Sequence, residues 1–598
     1  MAKQFLNSMY RGPKRGYDSV ARKYVNMAPD VLIYTTKDTD TLDTELHVIE
    51  RPNISFYLST KQQPFHKVSV PLSEVRKVKV PYDDRDREIA RCLGCLDAYY
   101  NSSKNGSGYD YKKQIMRHPN LYMADTHIED YYKTCYIMSE GEAIASKYKM
   151  AFSDIEVDIS ELEDDFPEPK IAPSKINVIT TIYAETMEVY TFMLYDPRVK
   201  NDIASIVNDP DKFISEWLDE DLRKEGFTFH LNAYSTELDL IKAYFNEVHR
   251  HKPDFMAWWN MPFDIQTIIN RLKRNNLTDD EIAEIMCHPE IPSKYKYYKY
   301  IEDPKRKLYE AGESDDEIEE DDGASKNSKQ KPHPSRLTDW VEIPGYTQHY
   351  DQLAMFSNLR KRTLYPSYKL DDIGEEFASQ KKLNLADAGY NIKTVNVESF
   401  KTFIAYNIRD VFVQYCIEKK QRDMYQWVVF SDNTRLSKGG QQSIVIKNKL
   451  MLYLLRDNQV MGNAIDYDVH VSIPGAIVGR PELLEQFGVE ISGKNSYLFE
   501  NCVDYDAGSL YPSWIILCNI FKTALFGHVV DILVKDPSKV EGYRSLGEGE
   551  GLFSDIQCID QAIFDVASTY MGLPKPEDIM NELMTYAMNK ACWLIRGA

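Results

Sequence analysis

Asp154 and Glu156 stand two apart in the run Met150-Ala151-Phe152-Ser153-Asp154-Ile155-Glu156-Val157, whose residue types suit a strand. Residues two apart in a strand leave the same face. Two carboxylates side by side there repel unless a cation neutralises them. Ala257-Trp258-Trp259-Asn260-Met261-Pro262-Phe263-Asp264 then opens an amphipathic helix carrying Ile265, Ile268, Ile269 and Leu272, with Asp264 near its start. In Tyr406-Asn407-Ile408-Arg409-Asp410, Tyr406 and Asp410 are four apart and share one helical face. Four acids from a strand and two helices can converge on two divalent cations that clamp both oxygens of a phosphodiester displacement. Tyr406, on the face of the last acid, can orient the attacking water. Each piece also has a plainer meaning. A D-x-E is commonly a solvated strand face, and Asn260 suits a helix N-cap.

A second constellation lies far downstream. Cys502-Val503-Asp504-Tyr505 reads as a strand that delivers Asp506 to the turn Ala507-Gly508-Ser509, followed by Leu510-Tyr511-Pro512-Ser513. The small residues let backbone N–H groups approach phosphates closely. Tyr511 beside Pro512 supplies a rigid aromatic wall. One hard oxygen ligand, a phosphate cradle and an aromatic floor together suit a nucleoside triphosphate with Mg²⁺.

The elements that must position these groups follow from periodicity. Val31 to Glu50 alternates as a hairpin. Residues 148–194 read as a β-meander, with strands at 150–157, 177–183 and 189–193, and helical periodicity follows at 236–249 and 263–274. Eight acids between Glu313 and Asp322 predict a solvated insert within 303–336 rather than a calcium loop, because EF-hand spacing and its glycine are missing. Tyr295-Lys296-Tyr297-Tyr298-Lys299-Tyr300 predicts an exposed strand with alternating faces, ahead of a surface that stacks bases. Cys92-Leu93-Gly94-Cys95 lacks a second pair and reads as helix packing rather than zinc.

A chain of 598 residues has room for about four domains, and a 27 % charged, 43 % hydrophobic composition is that of a soluble globular protein. A net charge of −20 disfavours indiscriminate nucleic-acid binding and leaves a local basic groove open. Nine scattered cysteines, an odd number, predict a reducing compartment without a disulfide framework. With no bilayer-length apolar run and no signal-peptide pattern at Met1-Ala2-Lys3-Gln4, no membrane partner is expected and a cytoplasmic location is.

The order D-x-E, N-x(2–3)-F-D, Y-x-x-x-D and then D-x-x-S-L-Y-P-S resembles family B DNA polymerases, whose three exonuclease motifs precede motif A. Phe166-Pro167-Glu168-Pro169 and Ile176-Asn177-Val178-Ile179-Thr180 resemble the branch found in tailed bacteriophages, which would place the protein in an infected host cell. Tyr350-Asp351-Gln352-Leu353 and Ser367-Tyr368-Lys369-Leu370 resemble the family's segments between the second and third motifs, with Asp351 left outside the metal set. Asp38-Thr39-Asp40-Thr41 mimics motif C, but it precedes motif A and is set aside.

The resemblance implies an α/β (α+β) multidomain fold. It comprises a β-rich N-terminal domain (1–145), an RNase H-like DEDDy 3′–5′ exonuclease (146–425), a linker returning to the N-terminal domain (426–495) and a partial palm with the start of the fingers (496–598). It implies two Mg²⁺ or Mn²⁺ per site, on Asp154, Glu156, Asp264 and Asp410 in the exonuclease and on Asp506 in the palm. Ser509, Leu510 and Tyr511 would hold the nucleotide, and Asn260, Phe263, Gly475 and Ala476 would contact DNA. Gly475 and Ala476 belong to Ser472-Ile473-Pro474-Gly475-Ala476-Ile477-Val478, which is similar to the family's Y-x-G-G/A linker without its aromatic residue.

After Asp506 come 598 − 506 = 92 residues, and they contain neither the fingers motif K-x-x-x-N-S-x-Y-G nor the D-T-D of motif C. The expectation is therefore the N-terminal part of a split DNA-directed DNA polymerase in viral DNA replication. Its partners would be primer–template DNA, deoxynucleoside triphosphates, a second chain supplying the missing motifs, a sliding clamp and other replisome proteins. The alternatives are a stand-alone 3′–5′ exonuclease with a vestigial palm and a non-enzymatic scaffold that binds primer–template.

Overall fold

The computed structural model describes residues 2–18, 23–63, 67–104, 115–160, 162, 167–303, 333–336, 339–360, 365–387, 389–430 and 442–463, with short strands at 489–490, 497–498, 527–531 and 592–596. The chain divides into two units, Met1–Val469 and His470–Ala598. In the second unit Val489–Glu490 pairs with Tyr497–Leu498, and Gly527–Asp531 with Cys592–Arg596, both antiparallel. Asp506, Ser509, Leu510, Tyr511, Gly475 and Ala476 lie outside the described residues, as do the eight acids of the insert.

The first unit begins with strands β1 (Lys3–Arg11), β2 (Val31–Asp38) and β3 (Thr44–Glu50), in an antiparallel sheet with β2 central. β2 and β3 are the expected hairpin. Its turn is closed by Asp38, whose Oδ1 accepts the backbone N–H groups of Asp40 and Thr41 at 2.9 Å each, so the D-T-D-T run is an Asx-type turn. A second sheet places β4 (Asn53–Ser59) beside β6 (Val75–Pro81) and β7 (Leu121–Tyr122). Between them in sequence, β5 (Ser69–Pro71) pairs antiparallel with β14 (Gln459–Met461), so the chain returns to its N-terminal region after the central sheet is built.

That central sheet has six strands: β8 (Met150–Val157), β9 (Ile176–Tyr183), β10 (Glu188–Leu194), β11 (Thr228–Tyr234), β12 (Phe255–Trp258) and β13 (Gln348–Asp351). Their order is β11-β10-β9-β8-β12-β13. β8, β9 and β10 form the expected antiparallel meander, while β12 and β13 add parallel to β8 on its other side. β8 is therefore interior and buries both faces. Phe152, with Val178 and Met193, packs on Phe403, Ile404, Ile408 and Val411 of a long helix. Ile155, with Ile179 and Phe192, packs on Leu240, Tyr244, Ile265 and Ile268 from the opposite layer. Among the helices are α1 (Glu237–His251), α2 (Met261–Arg274), α3 (Gln352–Leu359), α4 (Leu370–Ile373), α5 (Phe400–Gln421) and α6 (Gln442–Arg456). α5 is buried along most of its circumference, as a helix between a sheet and further chain must be. This mixed α/β arrangement agrees with the expected fold class. Among the described residues no helix is long and apolar enough to cross a membrane.

The Tyr295–Tyr300 segment is not the continuous exposed strand predicted. It is one helical turn (Ser293–Tyr295) followed by a short strand (Lys299–Ile301). Tyr295 is buried, and its hydroxyl donates to Glu50. The hydroxyls of Tyr298 and Tyr300 donate to Asp279 and Asp339. Tertiary partners override the period-2 pattern, and the rings are packing surfaces.

A fully buried ion pair joins the N-terminal hairpin to the central sheet. Lys37 Nζ donates to Asp254 Oδ2 at 2.6 Å, and both side chains are 0 % exposed. Asp254 also accepts from Thr44 Oγ1 (2.6 Å) and the Lys149 backbone N–H (2.8 Å), while its carbonyl accepts from the Gln348 N–H (3.0 Å). One residue, through its carboxylate and its carbonyl, thus ties the hairpin to the starts of β8, β12 and β13. Lys37→Met strands that charge and is expected to cost about 3–5 kcal/mol. In the double variant Lys37→Met with Asp254→Asn, part of the loss returns because no charge is left buried. Urea unfolding followed by tryptophan fluorescence checks both, with Trp258 and Trp259 reporting from the strand that Asp254 precedes.

Candidate metal centre

β8 presents Asp154 and Glu156 on the face that α5 covers, and α5 answers with Tyr406, Asn407 and Asp410. Carboxylate oxygens of Asp154, Glu156 and Asp410 lie within 4.8 Å of one another. Asp410 is 2 % exposed, whereas Asp154 and Glu156 each keep an edge open to solvent. The register that puts them there pairs Asp154 with Thr180 and Glu156 with Val178, with an irregularity between Glu156 and Val157.

The electrostatics follow from crowding like charges away from water. Burial, then the charge of Asp410, pushes Asp154 up to about 7. Burial and the charges of Asp154 and Asp410 push Glu156 well above the ordinary carboxylate range. Burial also lifts Asp410, against hydrogen bonds from Lys382 and Tyr406. The Tyr406 phenol is pushed far up by burial and by Asp410, so it stays protonated and acts as a donor rather than a base.

Sequence reasoning missed two residues. Asn407 donates from Nδ2 to Asp154 Oδ2 at 2.8 Å. It lay inside the helical run already quoted, one turn before Asp410, and that spacing was the available signal. Lys382 donates from Nζ to Asp410 Oδ2 and to the Tyr406 hydroxyl, the latter at 3.0 Å. Burial alone would lower its pKa, but Asp410, Tyr406 and Asp154 together raise it well above 10.5. It belongs to an irregular Lys381-Lys382 stretch, where no periodicity says which lysine turns inward.

With all three carboxylates ionised, the Lys382 ammonium offsets one charge and two remain for a cation to balance. Among the described residues, two buried oxygens, Asp410 Oδ1 and Asn407 Oδ1, have no hydrogen-bond partner. Unpartnered oxygens and surplus negative charge fit an oxygen-liganded divalent cation held by Asp154, Glu156 and Asp410. Nothing in the donor set distinguishes Mg²⁺ from Mn²⁺.

Asp264 does not join that group of oxygens. It sits in the first turn of α2, after Asn260 at the N-cap and Pro262, and is 3 % exposed. Its carboxylate accepts the Ile155 backbone N–H, while burial and the charges of Asp154 and Asp351 raise its pKa. The structure therefore places Asp264 beside the triad, turned toward β8's backbone. α2 is held by Arg271, whose Nε and Nη2 donate to Glu237 at 2.8 and 2.7 Å in a buried bidentate pair. Asp351 caps α3, accepting from the Ala354 N–H at 2.9 Å. Asn260 is exposed, with its side chain uninvolved in capping, and Phe263 is half-buried against the α1–α2 layer.

The raised carboxylates make a signed prediction. Between the unfolded value of about 3.9 and the folded value of about 7, folded Asp154 keeps a proton that the unfolded chain has released. Stability of the chelated protein should therefore fall as pH rises through that window. Glu156 and Asp264 act with the same sign. Mg²⁺ or Mn²⁺ should raise the melting temperature more at about pH 8 than at about pH 5, measured by thermal unfolding with and without chelator.

No protein-family model matches the chain, and a search of curated proteins finds no relative.

Proposed function

We propose that the chain is a divalent-metal-dependent 3′–5′ exonuclease acting on DNA ends, the proofreading part of a family B-like DNA polymerase. The observation that carries this is the meeting of Asp154, Glu156 and Asp410 with the protonated Tyr406 on one face of the central sheet. The sheet itself, an antiparallel meander extended by parallel strands between two helical layers, is compatible with the RNase H-like expectation. Bound Mg²⁺ or Mn²⁺ would supply the charge that activates water and stabilises the leaving oxygen. Asp154, Glu156 and Asp410 would hold that charge in place, with Asp264 beside them at the start of α2. Asn407 fixes the orientation of the Asp154 carboxylate. The Tyr406 hydroxyl can orient a nucleophilic water. Lys382 adds a fixed positive charge where negative charge develops on the scissile phosphate.

The polymerase half of the proposal rests on the Asp506–Ser513 octet alone. Asp506 would bind metal, Ser509 and Leu510 the triphosphate, and Tyr511 the sugar, in a cytoplasmic enzyme working on primer–template DNA. Extension would need motifs B and C, which these 598 residues do not contain.

Purified protein should degrade single-stranded or mispaired 3′ ends with Mg²⁺ or Mn²⁺ and stop on chelation. The double variant Asp154→Ala with Glu156→Ala should lose nearly all activity, and Tyr406→Phe about 10²-fold. Asp506→Asn should leave hydrolysis unchanged. Equal hydrolysis by the double variant in a gel-based end-labelled assay would sink the assignment. Primer extension by the 598 residues alone should be undetectable.

A further inference from the structure

Lys382 reaches Asp410 from a segment that is neither strand nor regular helix, so something must aim it. After α4 the chain makes one π-type turn at Gly374–Ala378, passes Ser379 in a left-handed conformation (φ 55°), and runs through Gln380 and Lys381 to Lys382. π-turns and isolated left-handed residues cost backbone energy and persist where neighbours over-determine them. Here the neighbours are on α5. Lys420 Nζ donates to the Ala378 carbonyl at 2.6 Å, and Gln421 Nε2 to that of Phe377 at 3.2 Å. Gly374 lies so close that a Cβ there would stand 2.4 Å from Val413 Cγ1 and 2.7 Å from the Gln380 carbonyl oxygen.

The tightest attachment is at the lysine itself. Arg409 is 8 % exposed and precedes Asp410 on α5. Its Nε donates to the Lys381 carbonyl at 2.7 Å and its Nη2 to Gln380 Oε1 at 2.6 Å. Its Nη1 is held by both oxygens of Asp221, at 2.9 and 2.8 Å. The N–H of the same Lys381–Lys382 peptide donates to Asp371 Oδ1 at 2.8 Å. Both polar ends of one peptide unit are thus pinned, and it is the unit that carries Lys382. Serving three acceptors at once needs a planar fork, which an ammonium cannot supply.

We propose that Arg409 is a positioning residue: anchored by Asp221, it clamps the Gln380–Lys382 backbone and thereby sets the Lys382 ammonium against Asp410 and Tyr406. This rests on the nuclease reading for its catalytic consequence. One helix then presents the acid and, one residue earlier, aims the cation that faces it.

Two measurements on the full chain test it. Hydrogen exchange of Arg409→Lys should show faster exchange confined to the peptide spanning 374–384, with the 150–157 strand as protected as before. The milder Asp221→Asn, on a partly exposed side chain, should shift the same peptide in the same direction. Unchanged protection in both variants, or loss spread equally to the strand, would overturn the clamp. In single-turnover hydrolysis of 3′ ends with Mn²⁺, Arg409→Lys should cost about 10-fold or more. In a Lys382→Met background the same change should cost no more than about twofold. Equal losses in both backgrounds would mean that Arg409 does not act through Lys382. If the parent chain hydrolyses no DNA, the nuclease reading falls and the exchange result alone decides the clamp.

Discussion

Mutual repulsion among carboxylates held away from water is the constraint around which this unit is organised. β8 projects Asp154 and Glu156 from one face, Asp158 follows just past its end, and α5 adds Asp410. The fold resolves the conflict differently along the strand. Asp158, at the end, accepts from Arg198 Nη2 at 2.5 Å, Asn396 Nδ2 at 2.8 Å and Ser160 Oγ at 2.6 Å. Burial would raise its pKa, but these partners bring it below the ordinary value. Asp154, Glu156 and Asp410 share one ammonium, one amide and one phenol, and their pKa values are raised. The contrast separates a carboxylate used as a structural acceptor from carboxylates left short of positive charge, and the second condition suits a metal site.

The same constraint explains the architecture around the site. An acid on an interior strand must have its backbone fixed from both sides, or the charge would turn outward. The meander fixes one side of β8, and the parallel strand β12 fixes the other. α2 and α5 are themselves pinned, α2 by the buried Arg271–Glu237 pair and α5 by near-complete burial. Lys382 is the exception in origin, since it comes from irregular chain. Its aim is correspondingly dense in hydrogen bonds.

Much of this was legible in the residues. The meander was, because alternation over Met150–Val157 and the segments after it has only one common explanation. The Tyr406–Asp410 face was, because helical spacing is geometry. Pro262 and the apolar stripe behind it placed Asp264 at a helix start. What the sequence could not state is distance. Asp264 shares the neighbourhood, yet its carboxylate turns to the Ile155 N–H, a choice made by a backbone donor on another element. Lys382 was illegible for a related reason, because the selection between adjacent lysines is made by Arg409 and Asp371, both remote in sequence. Tyr295–Tyr300 misled because acidic partners on three separate segments, Glu50, Asp279, and Asp339 with Glu342, each take one tyrosine hydroxyl.

The Lys37–Asp254 pair bears on how this unit could be inherited. Asp254 leads into β12 of the central sheet, and Lys37 belongs to the hairpin, 217 residues earlier in the chain. A recombination event that moved the sheet alone into another protein would carry an uncompensated charge into the recipient's interior. Shuffling between lineages should therefore transfer hairpin and sheet together, or replace both charges at once, which makes the N-terminal region and the central sheet one unit of descent even though each has a sheet of its own.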